Sequence, residues 1–143
     1  MTTIRTASLA DADDIARLSA ELGYPNTADQ IRERLTVFTG RADYITLVAI
    51  VDNQMAGWIQ GCALITLESG LRAQIVGLVV AKEFRRCGVG RALVDAIEHW
   101  AVANGANVIV VRSNTQRAES HHFYPSVGYT NSKTQLVYRQ DLK

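Results

Sequence analysis

The stretch KEFRRCGVGRAL, residues 82–93, lies between a predicted strand and a predicted helix. QIVGLVV (74–80) precedes it and is typical of a strand, and an apolar stripe at helical spacing follows it. The arginines and glycines around this helix start are Arg85, Arg86, Arg91, Gly88 and Gly90. Because a helix N-terminus already carries about half a positive charge, cations there are unfavourable unless an anion compensates them. Two interpretations are open: solvated arginines in a structural turn, or an anion-binding loop.

Two common phosphate-binding motifs do not fit this loop. A Walker loop requires G-x-x-x-x-G-K-[ST], a string that does not occur in the chain. A dinucleotide fingerprint requires a third glycine after the first strand, whereas here Arg-Ala-Leu (91–93) follows Gly90 and the loop comes after the fourth predicted strand. An anion site at this loop is therefore of another kind.

The composition is that of an ordinary soluble globular protein. The 143 residues include 15 Lys and Arg against 14 Asp and Glu, which gives a formal net charge of +1. This balance offers no bulk electrostatic argument for a nucleic acid or membrane partner. Cys62 and Cys87 show no metal-ligand or disulfide-framework spacing. We expect one domain over 1–143 in the cytoplasm, with no secretory signal, no membrane span and no metal.

Hydrophobic periodicity predicts alternating helices and strands. Capping-box sequences at SLAD (8–11) and TADQ (27–30) begin two helices, which end at Gly23 and Gly40. A third helix follows the loop and ends at NGA (104–106). A fourth covers about 117–124 and is ended by Pro125, while the predicted strands are 3–7, 44–51, 54–67, 71–80, 107–113, 128–130 and 135–139. The strand at 107–113 is nearly all apolar, as in a strand covered on both faces. This order indicates an α/β fold with one mixed sheet and helices on both faces.

Two motifs carry a family resemblance. RRCGVG (85–90) matches the pattern R/Q-x-x-G-x-G/A after a strand with an apolar end. RAESHHFYPSVGY (117–129) matches R-x-E-A-H-x-F-Y-x-x-x-G-F/Y apart from Ser120 in place of alanine. By both motifs and by its element order, essentially the whole chain resembles the GNAT superfamily of N-acetyltransferases. The resemblance implies a central mixed, mostly antiparallel sheet flanked by helices on both faces.

The resemblance also implies that the anion is the pyrophosphate of acetyl-coenzyme A. Backbone N–H groups of the loop would cradle it, and the arginines would add charge. The pantetheine arm would lie along the fourth strand like an added strand, where the fourth and fifth strands splay apart. The implied coenzyme-binding residues are Leu78, Val79, Val80, Arg85, Arg86, Cys87, Gly88, Val89, Gly90, Arg91 and Arg117.

The implied reaction is direct attack by an uncharged amine on the acetyl thioester. Tyr124 matches the family's general acid, which protonates the leaving thiolate. Val76 stands where many relatives carry a Glu or Asp near the acceptor amine, so the general base is unassigned. Glu68, His121 and His122 are candidates by residue type alone.

The acceptor is not readable from these motifs. An N-acetyltransferase acting on a small amine, such as an aminoglycoside or polyamine, is the favoured function. A protein lysine or N-terminus as acceptor, and a non-catalytic acetyl-coenzyme A-binding module, are the alternatives. The valine at position 76 favours the binding module and the tyrosine at position 124 argues against it. A homodimer is also expected from the resemblance.

Overall fold

The computed structural model describes residues 1–113 and 118–143. The chain forms two compact units, Met1–Arg112 and Ser113–Lys143, and the expectation of a single domain stays a prediction. The first unit contains, in order, β1 (Thr2–Thr6), α1 (Ala12–Glu21), α2 (Ala28–Phe38), β2 (Tyr44–Val51), β3 (Gln54–Thr66), β4 (Gly70–Val80), α3 (Val89–Ala103) and β5 (Ile109–Val111). The second unit contains α4 (Ala118–Ser126).

The five strands form one sheet in the order β1-β2-β3-β4-β5. The first four strands pair antiparallel, and β5 pairs parallel with β4. Asp52 and Asn53 connect β2 and β3 with φ angles of 50° and 64°, the left-handed backbone that a two-residue hairpin turn requires. The predicted mixed, mostly antiparallel sheet is confirmed.

One face of the sheet packs against α1 and α2. Val48, Trp58 and Val79 lie side by side across β2, β3 and β4, so their side chains share this face. Ile15 and Leu18 of α1 are buried in the same cluster, and α2 adds its apolar stripe to it. Burial of these side chains holds the two helices on the sheet.

The opposite face packs against α3. A Cβ added at Gly57 would lie 3.2 Å from Leu93 Cδ1, and one added at Gly61 would lie 3.1 Å from Ile97 Cδ1. The two glycines on β3 therefore let α3 approach the sheet more closely than side chains would allow. The prediction of helices on both faces is confirmed within the first unit.

The predicted capping boxes are present at both helix starts. The Ser8 backbone N–H donates to Asp11 Oδ2 at 2.8 Å, and the Arg5 guanidinium donates to both oxygens of this buried carboxylate at 2.8 and 2.9 Å. These hydrogen bonds, those from Arg5 first, lower the pKa of Asp11. Thr27 and Gln30 bond reciprocally at 3.1 and 2.9 Å at the start of α2.

Predictions for the last third of the chain are partly wrong. The strand predicted at 107–113 is confirmed only over Ile109–Val111, and these residues are half-buried instead of covered on both faces. Ile109 packs near Ala101 and Trp100 of α3. An apolar run predicts burial but not how many layers provide it.

The strands predicted at 128–130 and 135–139 are not present. The described residues supply no backbone ladder to either segment, and strand-forming side chains without a partner strand leave the chain irregular. The prediction that Pro125 ends the fourth helix after residue 124 is wrong by two residues, since Pro125 lies inside α4, which continues to Ser126.

Candidate active site

The loop between β4 and α3 presents the start of α3 to solvent. A 3₁₀ turn at Lys82–Phe84 leads into the loop, and α3 begins with Gly88 as its N-cap. The first helical hydrogen bond runs from the Ala92 N–H to the Gly88 carbonyl at 3.0 Å. N–H groups before that point have no carbonyl of the same helix to bond. Gly88 has no side chain to cap them, and the first turn of α3 holds no acidic residue.

Left-handed backbone at two residues shapes this loop. Gly88 has a φ of 82° and Arg86 a φ of 62°, a conformation that is unfavourable for a residue with a Cβ. Turns of this type place successive N–H groups on one concave side that suits an anion. Cys87 is exposed between them, and its thiol donates to the Arg85 carbonyl at 3.4 Å.

The predicted anion-site residues come together at this one point of the first unit. Arg86 and Arg91 are exposed, Arg85 is half-buried, and Val89 is buried and anchors the start of α3. Three arginines therefore lie in the loop and the first turn at the positive end of α3. An anion at this place would offset both the side-chain charges and the helix dipole.

The second half of β4 has an open edge on the side of β5. The ladder between the two strands covers only Ala73–Ile75, and the described residues give no ladder to Val76–Val80 on that side. β5 ends at Val111, opposite Ile75, and the predicted splay of the two strands stays a prediction. The gap beside Val76–Val80 leaves backbone donors and acceptors available to an amide-bearing ligand.

Backbone alternation decides which residues face this gap. The Ala81 N–H donates to the Ala56 carbonyl of the β3 side at 2.8 Å. Since alternate residues of a strand point their N–H and C=O groups to opposite sides, Val79 points toward β3, whereas Leu78 and Val80 point toward the open edge. The backbone groups of Val79 are therefore directed away from the open edge, and its side chain is buried against α1. Of the three strand residues predicted to bind the coenzyme, two have their backbone groups available.

A β-bulge at Val76 separates the paired half of β4 from the open half. Ile75 lies opposite Gly61 and Gly77 opposite Gln60, so Val76 is an extra residue without a cross-strand partner. Its side chain is 45% exposed. The bulge is not among the features predicted from the sequence, although the isolated Gly77 within a strand pattern is a signal for one.

The glycine after the bulge is explained by a tryptophan. A Cβ added at Gly77 would lie 2.9 Å from two atoms of the Trp58 ring, Cη2 and Cζ3. Real Cβ atoms do not approach other atoms this closely, so the ring requires glycine there. Trp58 therefore covers the backbone of β4 next to Val76.

In the second unit, the end of α4 positions Tyr124. The Tyr129 N–H donates to the Tyr124 carbonyl at 3.0 Å, and the Gly128 N–H donates to the Pro125 carbonyl at 3.2 Å. With Gly128 at a φ of 99°, these two bonds form a Schellman motif. The Tyr129 ring thereby meets the Tyr124 ring edge-on, with the centroids 5.8 Å apart, and Phe123 meets it at 5.1 Å.

Several predicted residues have no established place in this site. Glu68 lies in the turn between β3 and β4, about 20 Å along β4 from Val76. His121 and His122 are exposed on α4. Arg117 lies outside the described residues. The general base is therefore still unassigned.

No metal centre or membrane span stands out in 1–113 and 118–143. Over these ranges, no group of three or more His, Cys, Asp or Glu side chains is placed to hold a metal ion. No helix found there is long and apolar enough to cross a membrane.

Residues 11–129 match the family described as Acetyltransferase (GNAT) family. The chain belongs to this family. The chain is therefore an acetyl-coenzyme A-dependent N-acetyltransferase, and the fold and activity expected from the two sequence motifs are confirmed.

Similar proteins include several aminoglycoside acetyltransferases. An aminoglycoside N(6′)-acetyltransferase type 1 of Stenotrophomonas maltophilia is 23% identical over 99% of this chain and 94% of its own. The crystal structure of an aminoglycoside antibiotic 6′-N-acetyltransferase of Acinetobacter baumannii shares the fold, with a TM-score of 0.87, 19% identity and full coverage of both chains. The structure of AAC(6′)-Iy in complex with the bisubstrate analogue CoA-S-monomethyl-acetylneamine has a TM-score of 0.86 at 16% identity, covering 99% of each chain.

Proposed function

We propose that this GNAT enzyme transfers the acetyl group of acetyl-coenzyme A to the amine of a small molecule. The observation that carries the coenzyme site is the open edge of β4, which leads through the loop to the uncapped start of α3. Such an edge offers hydrogen bonds to amides, and such a helix start attracts a polyanion. Acetyl-coenzyme A combines the two, since its amide-bearing pantetheine arm ends in a pyrophosphate.

Each part of this edge has a proposed task. The backbone groups of Leu78 and Val80 hydrogen-bond the pantetheine amides, while Val79 fixes β4 to the core. Arg85, Arg86 and Arg91 pair with phosphate oxygens, and the backbone from Cys87 to Gly90 donates its N–H groups to them. Arg117 is a further coenzyme contact by the motif alone.

The coenzyme supplies an acetyl thioester, whose carbonyl carbon an uncharged amine attacks as the carbon–sulfur bond breaks. We assign the Tyr124 phenol as the general acid that protonates the departing thiolate. The proton that the acceptor nitrogen loses passes to water, since no base is assigned. Support for Tyr124 comes from the motif and from the ring packing that holds its side chain within the second unit.

A small amine is the favoured acceptor. Support comes from the similarity over nearly the whole chain to an enzyme named for aminoglycoside acetylation. Val76 is the departure that matters, because a valine beside the site of attack cannot accept the acceptor's proton. The acceptor amine must therefore arrive already uncharged or lose its proton to solvent. Homodimerisation stays a prediction of the sequence.

The coenzyme site is tested by calorimetric titration of acetyl-coenzyme A, with ATP and NADH as control ligands. Val80→Pro removes one N–H that faces the open edge and leaves the ladder to β3 intact. We expect it to weaken binding by about two- to twelve-fold, the effect of one hydrogen bond of about 0.5–1.5 kcal/mol. Leu67→Pro, in an exposed turn, is the matched control and leaves binding unchanged. A folded wild-type protein that does not bind acetyl-coenzyme A contradicts the assignment.

Catalysis and acceptor class are tested separately. Tyr124→Phe is expected to lower kcat by about a hundredfold or more while acetyl-coenzyme A still binds normally. Unchanged turnover would remove Tyr124 from the mechanism. A cell lysate incubated with enzyme and isotopically labelled acetyl-coenzyme A distinguishes the acceptors, because label in low-mass amines supports the proposal and label confined to proteins contradicts it.

A further inference from the structure

Trp58 on β3 and Gly77 on β4 are each an unfavourable choice for their position. A glycine inside a strand has no side chain to pack and weakens the strand. The indole nitrogen of Trp58 is buried, and within 1–113 and 118–143 it has no hydrogen-bond partner. A buried N–H without a partner lowers stability, and a leucine or phenylalanine at this position would avoid that loss. Two such choices in contact with each other indicate a functional constraint, because locally unfavourable residues are typical of functional sites.

The indole ring extends from β3 across β4. Trp58 lies directly opposite Val79, and Gly77 lies two residues before Val79 on the same face of the sheet. The ring atoms nearest to a Cβ added at Gly77 are Cη2 and Cζ3, which belong to the edge of the ring farthest from the Trp58 backbone. The outer edge of the ring therefore lies over the backbone of β4, next to the bulge at Val76.

Apolar packing holds the ring in this place. The half-buried Trp58 side chain packs against a cluster of buried residues, which are Ile15, Leu18, Val48, Met55, Val79 and Ala81. Protein cores are packed as densely as organic crystals, so a side chain against such a cluster has little room to move aside. The ring therefore occupies a fixed volume above β4.

The ring lies where the reacting end of the coenzyme is expected. This inference rests on the proposed function, in which the pantetheine arm lies along Leu78 and Val80 and the pyrophosphate lies at the loop 85–91. The thioester is at the opposite end of the arm from the pyrophosphate, so it lies toward Gly77 and Val76. An acyl chain on that thioester then ends beside the outer edge of the Trp58 ring.

We propose that Trp58 restricts the acyl group of the coenzyme to two carbons. The ring fills the space on this face of β4 that a propionyl or butyryl chain needs, whereas an acetyl group stops short of it. Glycine is required at position 77 because the ring must reach across the backbone of β4 to fill that space. Trp58 is therefore a specificity-determining residue that acts through its volume and takes no part in the transfer itself.

Titration calorimetry with acetyl-, propionyl- and butyryl-coenzyme A tests this restriction. Wild type is expected to bind butyryl-coenzyme A about five- to 150-fold more weakly than acetyl-coenzyme A, because the extra methylenes must enter filled space. Trp58→Leu keeps an apolar side chain on the core and removes the outer edge of the ring. We expect it to reduce this ratio by about fivefold or more, since the longer chain then has room, while acetyl-coenzyme A binds nearly as in wild type. Trp58→Phe, a smaller change, gives the same test if Trp58→Leu does not fold.

Trp100→Leu is the matched control. Trp100 is the second tryptophan of the chain, is half-buried like Trp58, and packs on the opposite face of the sheet near Ala73 and Ala101. We expect this variant to keep the wild-type ratio between the two thioesters. Equal binding of acetyl- and butyryl-coenzyme A by wild type overturns the inference, as does an unchanged ratio in a folded Trp58→Leu variant. A folded wild-type protein that binds neither thioester contradicts the proposed coenzyme site itself, so the two failures are distinguishable.

Fluorescence gives a second measurement that needs no acceptor. In a Trp100→Phe protein, Trp58 is the one tryptophan left in the sequence, so tryptophan emission reports on the ring beside β4. We expect the emission to change more when acetyl-coenzyme A binds than when coenzyme A with a free thiol binds, because only the former places an acyl group next to the ring. The same emission with both ligands at saturation would place the acyl group away from Trp58 and overturn the inference.

Discussion

Arg86 allows backbone strain and ligand charge to be measured apart. Its φ of 62° is left-handed, which costs a residue with a Cβ about 1–2 kcal/mol, and its side chain is exposed beside the start of α3. Arg86→Gly removes both the strain and the charge, whereas Arg86→Ala removes the charge alone. The two variants therefore share one expected effect on ligand binding and differ in stability.

The stability difference follows from two opposing terms. Glycine relieves the strain, but it increases the conformational entropy of the unfolded chain and so loses about 0.5–1 kcal/mol of that gain. A net advantage of about 0.5–1 kcal/mol for the glycine variant over the alanine variant is left. At roughly 3 °C per kcal/mol for a chain of this length, its Tm is expected to lie about 1.5–3 °C higher.

The expected effect on binding is equal in the two variants. Loss of one exposed cation–phosphate pair is worth about 1 kcal/mol at low salt, or about fivefold in the Kd for acetyl-coenzyme A. Scanning calorimetry measures Tm and titration calorimetry measures Kd, with Arg17→Ala on α1 as a control that loses an exposed cation elsewhere. Equal melting temperatures for the two variants would refute the strain argument. A wild-type Kd in both would refute the contact of Arg86 with phosphate.

Three further changes test other parts of the chain. Asp11→Asn is expected to lower the free energy of unfolding by about 1–2 kcal/mol near pH 7, because its arginine partner is half exposed. Folding lowers the pKa of Asp11, so the stability advantage of wild type over Asp11→Asn is present above the unfolded pKa of about 3.9 and is lost as the pH falls through the folded pKa. Unfolding curves between pH 7 and 2 measure the difference in stability between the two proteins. A difference that stays constant over this range contradicts the argument. Gly77→Ala is expected to lower the free energy of unfolding, measured by chemical denaturation, by about 1–3 kcal/mol, because the added Cβ clashes with the Trp58 ring. Adding Trp58→Leu should recover part of this loss. A Gly77→Ala variant as stable as wild type would show that the ring moves freely. Tyr129→Ala removes the ring that meets Tyr124, and it is expected to lower kcat by about two- to twelve-fold with an unchanged Kd for the coenzyme. Tyr129→Phe keeps the ring and is expected to keep the wild-type kcat. A Tyr129→Phe variant with the low kcat of Tyr129→Ala argues against positioning of Tyr124 by the ring.

Local chemistry explains which features the sequence predicts well. A capping box needs only residues three apart, so Ser8 with Asp11 and Thr27 with Gln30 locate two helix starts without knowledge of the fold. The anion loop is equally local, since its three arginines and two glycines all lie within residues 85–91. Long-range pairing is different. The bulge at Val76 depends on the register between β3 and β4, which no short window of sequence determines.

The carboxyl-terminal segment 130–143 shows the same limit. Residues 135–139 have side chains typical of a strand, but they do not form one. A strand also needs a neighbouring strand that satisfies its backbone N–H and C=O groups, and the sequence of one segment does not show whether such a neighbour is present. Among the described residues, no ladder to a neighbouring strand satisfies the backbone groups of 135–139, so strand-forming side chains are not enough to make this segment a strand.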